Sequence, residues 1–575
     1  MNSKTNRNGF MYILKNQRAL FILLASFLLV ACGQLVRNAV TIQQTDVSSL
    51  SAQLPTDIPG GATSANITDA AVFAWQEFIA LNWPSVPQQG GVGQRGQADI
   101  SKPFGAPSPL VVWETFRGKV EVYPGQGVPP GYQPNSAAKY GYDQLPAYTY
   151  NVSDVGSYSG LPAGKIPANV GQIPVAQAAW INLDEDNEIE EDAMFAGIAS
   201  GLDFPGPQFL YAAKVNYGEY GYIAGNRWWN KSQPVTPPQT ATANYVFDNN
   251  STPPPGSTDY VSFPSGTIET KSAWRRLQPA EANSGRWHTN TVRYYVPQVT
   301  GQSYAGQPGN PDYPAYEEAE FGLTALHIIH KTPSAPYFIY ATFEQAENIL
   351  TIDGLPVEDE PGNEIRNRSL AVTSPVIAST PATATTKQQL LAQGAFPNPA
   401  DRLYFKNLPA GVPEGPVSIN RRVHPIPAEI IIVNQRFQQA IANYESEHGV
   451  QSPWRNYKLV NVQWIPLTKP PGQIYDGPNK ASYYLSNSVV ETDTNLQSFS
   501  GKLDDPGDTN GLITDYYNAN NRTVSSANRY PIGAPASNVP FNHNSYNMGG
   551  CMGCHGNIAQ LGADFSFVFN SSSVM

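Results

Sequence analysis

The sequence predicts a mainly β protein: a β-rich α+β fold in one large body, with long Gly/Pro-rich loops and a few peripheral helices. Three observations point there. The 48 glycines and 51 prolines make up about one residue in six, against roughly one in eight in ordinary domains. Tyrosine is abundant at 31 residues, while charged residues make up only 14%, against a usual ~25%. Runs of aromatic and β-branched residues recur at strand length between turn-forming residues, as half-buried pleated strands require.

The elements follow in chain order. Lys4, Arg7, Lys15 and Arg18 precede an apolar run over 19–29 and then Leu29-Val30-Ala31-Cys32, which resembles the lipobox of bacterial lipoproteins. The run is too short to span a bilayer and reads as an export signal over 1–31, cut before Cys32. Cys32 is then the candidate lipidation site, tethering the chain to the membrane by acyl chains. Residues 32–65, polar and rich in Ser, Thr and Gln, read as a flexible tether.

The β-rich body is expected over 66–540. It opens with a helix capped by Thr68, whose Val72, Trp75, Phe78 and Ile79 form an apolar stripe and which ends before Pro84. Strand-like runs follow at 209–215, 291–296, 337–343 and 457–464. A second helix is expected over 427–444, with Ile430, Val433, Phe437, Ile441 and Tyr444 on one face. The polar stretches 232–258 and 374–386 read as long loops. No repeat of fixed period and no clean linker divides the body.

The net charge of −11 argues against a nucleic-acid partner, since phosphate binding needs a basic face. An acidic surface suits the steering of basic redox partners, and equally serves solubility. The acidic run 184–188 alternates Asp as a calcium loop does, but lacks the turn glycine and reads as a solvated turn.

Cys551, Cys554 and His555 spell C-x-x-C-H, the attachment sequence for c-type haem, within a 541–575 segment. Two thiols that form thioethers to one porphyrin, and an imidazole that reaches its iron, need this close spacing. A redox cysteine pair or half a zinc site are the alternatives. A zinc site needs two more ligands, and no second cysteine pair exists. The chain has three cysteines, so with Cys32 acylated both others fall in the motif. Thioether attachment takes place outside the cytoplasm, so the export signal and the haem motif support one another. Only 20 residues follow His555, too few to wrap a haem, so the upstream body is expected to line its site.

A second axial ligand must come from upstream or close by. The histidines are His288, His327, His330, His424, His448, His543 and His555. His327 and His330 fall in a stretch that reads as a β-hairpin with 337–343. Strand alternation puts His327 with Phe321, Leu323, Ala325 and Ile329, and His330 with Gly322, Thr324, Leu326 and Ile328. The first face is the more apolar, which makes His327 the expected buried one and the distal iron-ligand candidate. The plainer role is a core histidine bonded to backbone. Zinc binding by His-x-x-His would need a helix, and the pattern here is not helical. Met548 sits too close to Cys551 to reach the opposite side of the iron; His543 has more slack. Arg275 and Arg276 suit haem propionates.

Several stretches together carry a resemblance: Phe73–Pro84, Val112–Phe116, Ile268–Arg275, Leu326–Thr332, Ala341–Asn348, Leu485–Thr492, and the Cys551–Gly556 block with Asp564–Val568. In scattered blocks over most of the mature chain, it resembles large exported bacterial proteins identified only as cytochrome c family proteins. The resemblance implies Cys551 and Cys554 as attachment points and His555 as axial ligand. The group often has His where Gln345 stands, so no ligand role carries over there. Three functions follow as expectations: mono-haem electron transfer in the cell envelope, on the outer membrane; a haem peroxidase or oxygenase with an open distal site; and a binding module with auxiliary haem. Partners would be redox proteins or a small electron donor or acceptor. No nucleophile elbow, dinucleotide loop or metalloprotease helix is present.

Overall fold

The computed structural model describes residues 50–87, 94–123, 128–144, 180–181, 194–196, 210–230, 261–277, 279–295, 316–347, 358–363, 365, 403–405, 416–417, 426–465, 482, 551–552, 555, 564–566 and 568–569. The export signal and Cys32 lie outside them, as do the acidic run 184–188 and the loops 232–258 and 374–386.

Helix α1 spans Ile67–Leu81. Its cap is Asn66 rather than Thr68: the Asn66 side chain accepts the N–H groups of Thr68 and Asp69, and the Asp69 carboxylate accepts the Asn66 N–H. This reciprocal box satisfies otherwise orphaned donors at the helix start. The apolar stripe is buried, but so are Ala70, Ala71 and Ala74. A helix enclosed on nearly every side reads as uniformly apolar rather than striped. At its end the Asn82 amide donates to Phe78 O and its Oδ1 accepts Trp113 Nε1–H at 2.9 Å.

The main sheet has eight strands: β1 (Arg117–Gly118), β2 (Trp180–Ile181), β4 (Leu210–Val215), β5 (Ile268–Arg276), β6 (Thr289–Tyr295), β7 (Tyr316–Thr332), β8 (Ala335–Gln345) and β11 (Tyr457–Gln463). Seven pair antiparallel, and β2 joins β6 in parallel. The short strands β3 (Met194–Ala196), β9 (Leu403–Phe405) and β10 (Pro416–Val417) form a separate three-stranded sheet. Helix α2 (Tyr217–Asn226) follows β4, with Asn216 as its cap.

The 17-residue β7 is the spine. β5 runs along one edge, while the other is shared by β6 over 316–322 and β8 over 325–332. The expected β7–β8 hairpin forms around Pro333 and Ser334. Its faces depart from simple alternation, because Ala325 pairs Ala273 while Leu323 pairs the next residue, Trp274. Cross-strand partners share a face, so this bulge puts Leu323 and Ala325 on opposite sides.

Residues assigned to the tether begin packing well before 66. Ile58 and Ala62 are buried, and the Asp57 carboxylate accepts the N–H and hydroxyl of Ser334 and the Thr332 hydroxyl. The sequence missed this because a polar turn-binding segment has the composition of a linker.

Helix α3 (Ala428–His448) buries Ile430, Val433, Phe437 and Ile441, and runs one turn past the expected end. It stops at Gly449, whose φ of +63° is the left-handed cap that only glycine adopts freely. Trp75 is held between the sheet and α3, edge-on to Phe343 and stacked on Phe437 with centroids 5.3 Å apart. Asn434 sits at this junction. Its Oδ1 accepts Trp75 Nε1–H (2.7 Å) and Leu459 N–H (3.1 Å), and its Nδ2 donates to Pro361 O and Leu459 O. Replacing Asn434 by Ala leaves several buried groups unpaired, so urea unfolding should show a loss of roughly 2–4 kcal/mol. Exposed Gln439→Ala on the same helix should stay within about 0.5 kcal/mol.

Candidate functional site

One sheet face receives α1; the described residues 551–552, 555 and 564–566 meet the other. Register aligns Lys271, His327 and Thr342 in one row of that second face, and Glu269, Ile329 and Tyr340 in the next. Asn461 and Gln463 of β11 extend the two rows. Met552 N–H donates to Gln463 Oε1 at 2.9 Å, and the His555 ring lies 4.8 Å from the Tyr340 ring.

His555 Nδ1 is 2.5 Å from Phe565 O. A carbonyl can only accept, so Nδ1 carries the proton and Nε2 is the basic nitrogen. Burial against the sheet pushes the imidazole down to about 3, against the pull of that carbonyl; the nearby Lys271 and His327 push it further the same way. Histidine ligands to metals show the same state: neutral, one nitrogen fixed to a backbone carbonyl, the other basic. Cys551 is half-buried. Cys554 lies outside the described residues. The donor set around His555 thus fits a covalently attached haem: a thiol, an oriented neutral imidazole, and an aromatic wall. Among the described residues no group of three His, Cys, Asp or Glu is placed to hold a bare metal ion, and no helix is long and apolar enough to cross a membrane.

His327 shares the face of His555, close enough to disfavour its protonation. The expectation that His327 alone is buried does not hold: exposure is 6% for His327 and 3% for His330. Both faces of β7 are covered, so polarity could not tell them apart. His330 points the other way, with Nδ1 bonded to the Glu77 carboxylate of α1 and its ring stacked on Phe73. Burial holds Glu77 above the usual carboxylate range, opposed by His330. Gln345 is buried on the α1 face, away from His555, and accepts Glu347 N–H. His288 bonds Glu114, and exposed His448 bonds Tyr444 O. Arg275 and Arg276 pair with Gly322 and Phe321 near the end of β5. His424, His543 and Met548 lie outside the described residues.

Sequence reasoning missed the groups that fasten the segment. Asp564 Oδ2 accepts Phe263 N–H at 2.5 Å and Lys331 Nζ at 2.7 Å, with both charged side chains fully buried. Burial nevertheless pushes Asp564 up to about 6, against the opposing pull of Lys331. Ser566 Oγ donates to Glu219 Oε1 of α2 at 2.8 Å. Glu219 and Glu269 are both buried and close; burial first, then their proximity to one another, drives Glu219 well up, and burial raises Glu269. The same two carboxyls, after burial, raise the hydroxyl of half-buried Tyr123. The available signal was Asp564 itself, a lone charge directly before the aromatic run FSFVF.

These carboxyls hold protons more tightly folded than unfolded, so their contribution falls as pH rises through their folded pKa values. His555 in haem-free protein acts oppositely, because its depressed value makes acid destabilising. A variant-to-parent difference isolates the carboxyls. Glu219→Gln keeps an acceptor for Ser566 and removes the charge. Its stability gain over the parent should grow from pH 5 to pH 8, reaching about 1–3 kcal/mol. Denaturant unfolding at four pH values reads it; a gain independent of pH contradicts the raised Glu219 carboxyl.

Comparison of the chain with protein-family models, with curated proteins and with solved structures finds no match.

Proposed function

We propose that the chain is a mono-haem c-type cytochrome of the bacterial cell envelope, lipid-anchored through Cys32 to the outer membrane, and that it transfers electrons. The observation that carries the reading is the His555 Nδ1 bond to Phe565 O, which leaves Nε2 of a C-x-x-C-H histidine as the nitrogen for iron. Cys551 and Cys554 would form the thioethers, and His327, on the same sheet face, is the candidate for the second axial position. When bound, haem supplies one-electron exchange. The chain's own residues orient the imidazole, exclude water with the Tyr340 ring, and keep charge off His555. A buried second histidine favours a filled coordination shell, hence electron transfer over the open-site peroxidase or oxygenase reading. Redox proteins or a small electron donor or acceptor would be the partners.

Full-length protein made with haem-maturation apparatus should gain one tetrapyrrole mass, resistant to acid extraction. The Cys551→Ser/Cys554→Ser double variant should gain none. Oxidised and reduced spectra should be low-spin in the parent and turn high-spin in His327→Ala. A parent that is already five-coordinate and high-spin transfers the assignment to peroxide or oxygen chemistry. Free thiols without added mass remove the haem reading altogether.

A further inference from the structure

Asp564 and Phe565 both adopt left-handed backbone, with φ of +48° and +65°. Asp tolerates this region; a bulky residue such as Phe is a genuine outlier there. Two such residues in succession persist only when their surroundings over-determine them. Here they do. Lys331 Nζ and Phe263 N–H clamp Asp564 from one side, and Glu219 takes the Ser566 hydroxyl from the other. The carbonyl of Phe565, between these two anchors, accepts from His555 Nδ1.

We propose that Asp564, clamped by Lys331, is a positioning residue for His555: it holds the turn whose Phe565 carbonyl fixes the tautomer and basicity of that histidine. The redox consequence rests on the haem reading above; the hydrogen-bond consequence does not. A strong acceptor on Nδ1–H moves the imidazole toward imidazolate and makes Nε2 a better donor to oxidised iron. Lys331 comes from β7, the strand that also carries His327, so one strand presents His327 and anchors the turn that orients His555. The buried pair thus acts through a carbonyl and touches no reacting atom.

The test uses the full chain with Asp564→Asn and Lys331→Met at pH 8. In haem-loaded protein, one tetrapyrrole mass per chain and the midpoint potential are read. If the pair positions His555, both variants shift the potential upward, because a freed imidazole stabilises oxidised iron less. Through-space charge alone would separate them, since losing an anion raises the potential and losing a cation lowers it. A purely structural pair would move neither. Opposite shifts or an unmoved potential therefore overturn the proposal. In haem-free full chain, imidazole 15N spectra should show the Nδ1–H tautomer of His555 in the parent and its loss in both variants. Retention of that tautomer in either variant also overturns it. A parent lacking tetrapyrrole mass defeats the haem reading, and the tautomer measurement still decides the role of Asp564.

Discussion

The structure depends on the burial of a polar run. His330, Lys331 and Thr332 end a strand covered on both faces, and none can be left unpaired there without a cost of a kilocalorie or more each. Each draws its partner from a different part of the chain. His330 is met by Glu77 of α1, Lys331 by Asp564, and Thr332 by Asp57. Three consecutive residues therefore tie the first helix, the C-terminal segment and the N-terminal stretch to one point on β7. The sheet supplies the platform, and unmet polar groups decide what must dock on it.

The two faces of that platform differ in kind. On the α1 side, Trp75, Phe78, Phe343 and Phe437 stack and interlock. On the other, Lys271 and His327 in one row and Tyr340 and Gln463 in the next present polar atoms. A segment placed on such a face is held by named partners, Gln463 to Met552, Lys331 to Asp564 and Glu219 to Ser566. Directional bonds of this sort fix the segment's register more strictly than apolar area would. His555 is placed with the precision of its neighbours' bonds.

Much of the fold was legible in sequence where local chemistry decides it. The aromatic and β-branched runs became β4, β6, β8 and β11, and the 3.6-residue stripe of α3 is buried as read except for half-buried Tyr444 at its end. What failed depended on distant partners. Thr68 looked like a cap, but Asn66 makes the stronger reciprocal box. The alternation of β7 misplaced Leu323 because the bulge is a property of pairing with β5. His327 and His330 could not be ranked, since the covering of each face comes from elements 253 and more residues away in one case and from the last segment in the other. At the site, C-x-x-C-H was plain from spacing alone. Asp564, Glu219 and Glu269 were not, because a buried carboxyl looks like any surface acid until its cover is known.

The sheet's second face draws part of its cover from Met552, His555, Asp564 and Ser566. Without them the buried Lys331 ammonium loses its counter-charge, Gln463 loses its donor, and Glu219 loses the Ser566 hydroxyl. Without these contacts, charged and polar groups of the sheet's second face stand without the partners that bury them. That face is thus completed by partners 89 to 347 residues away along the chain.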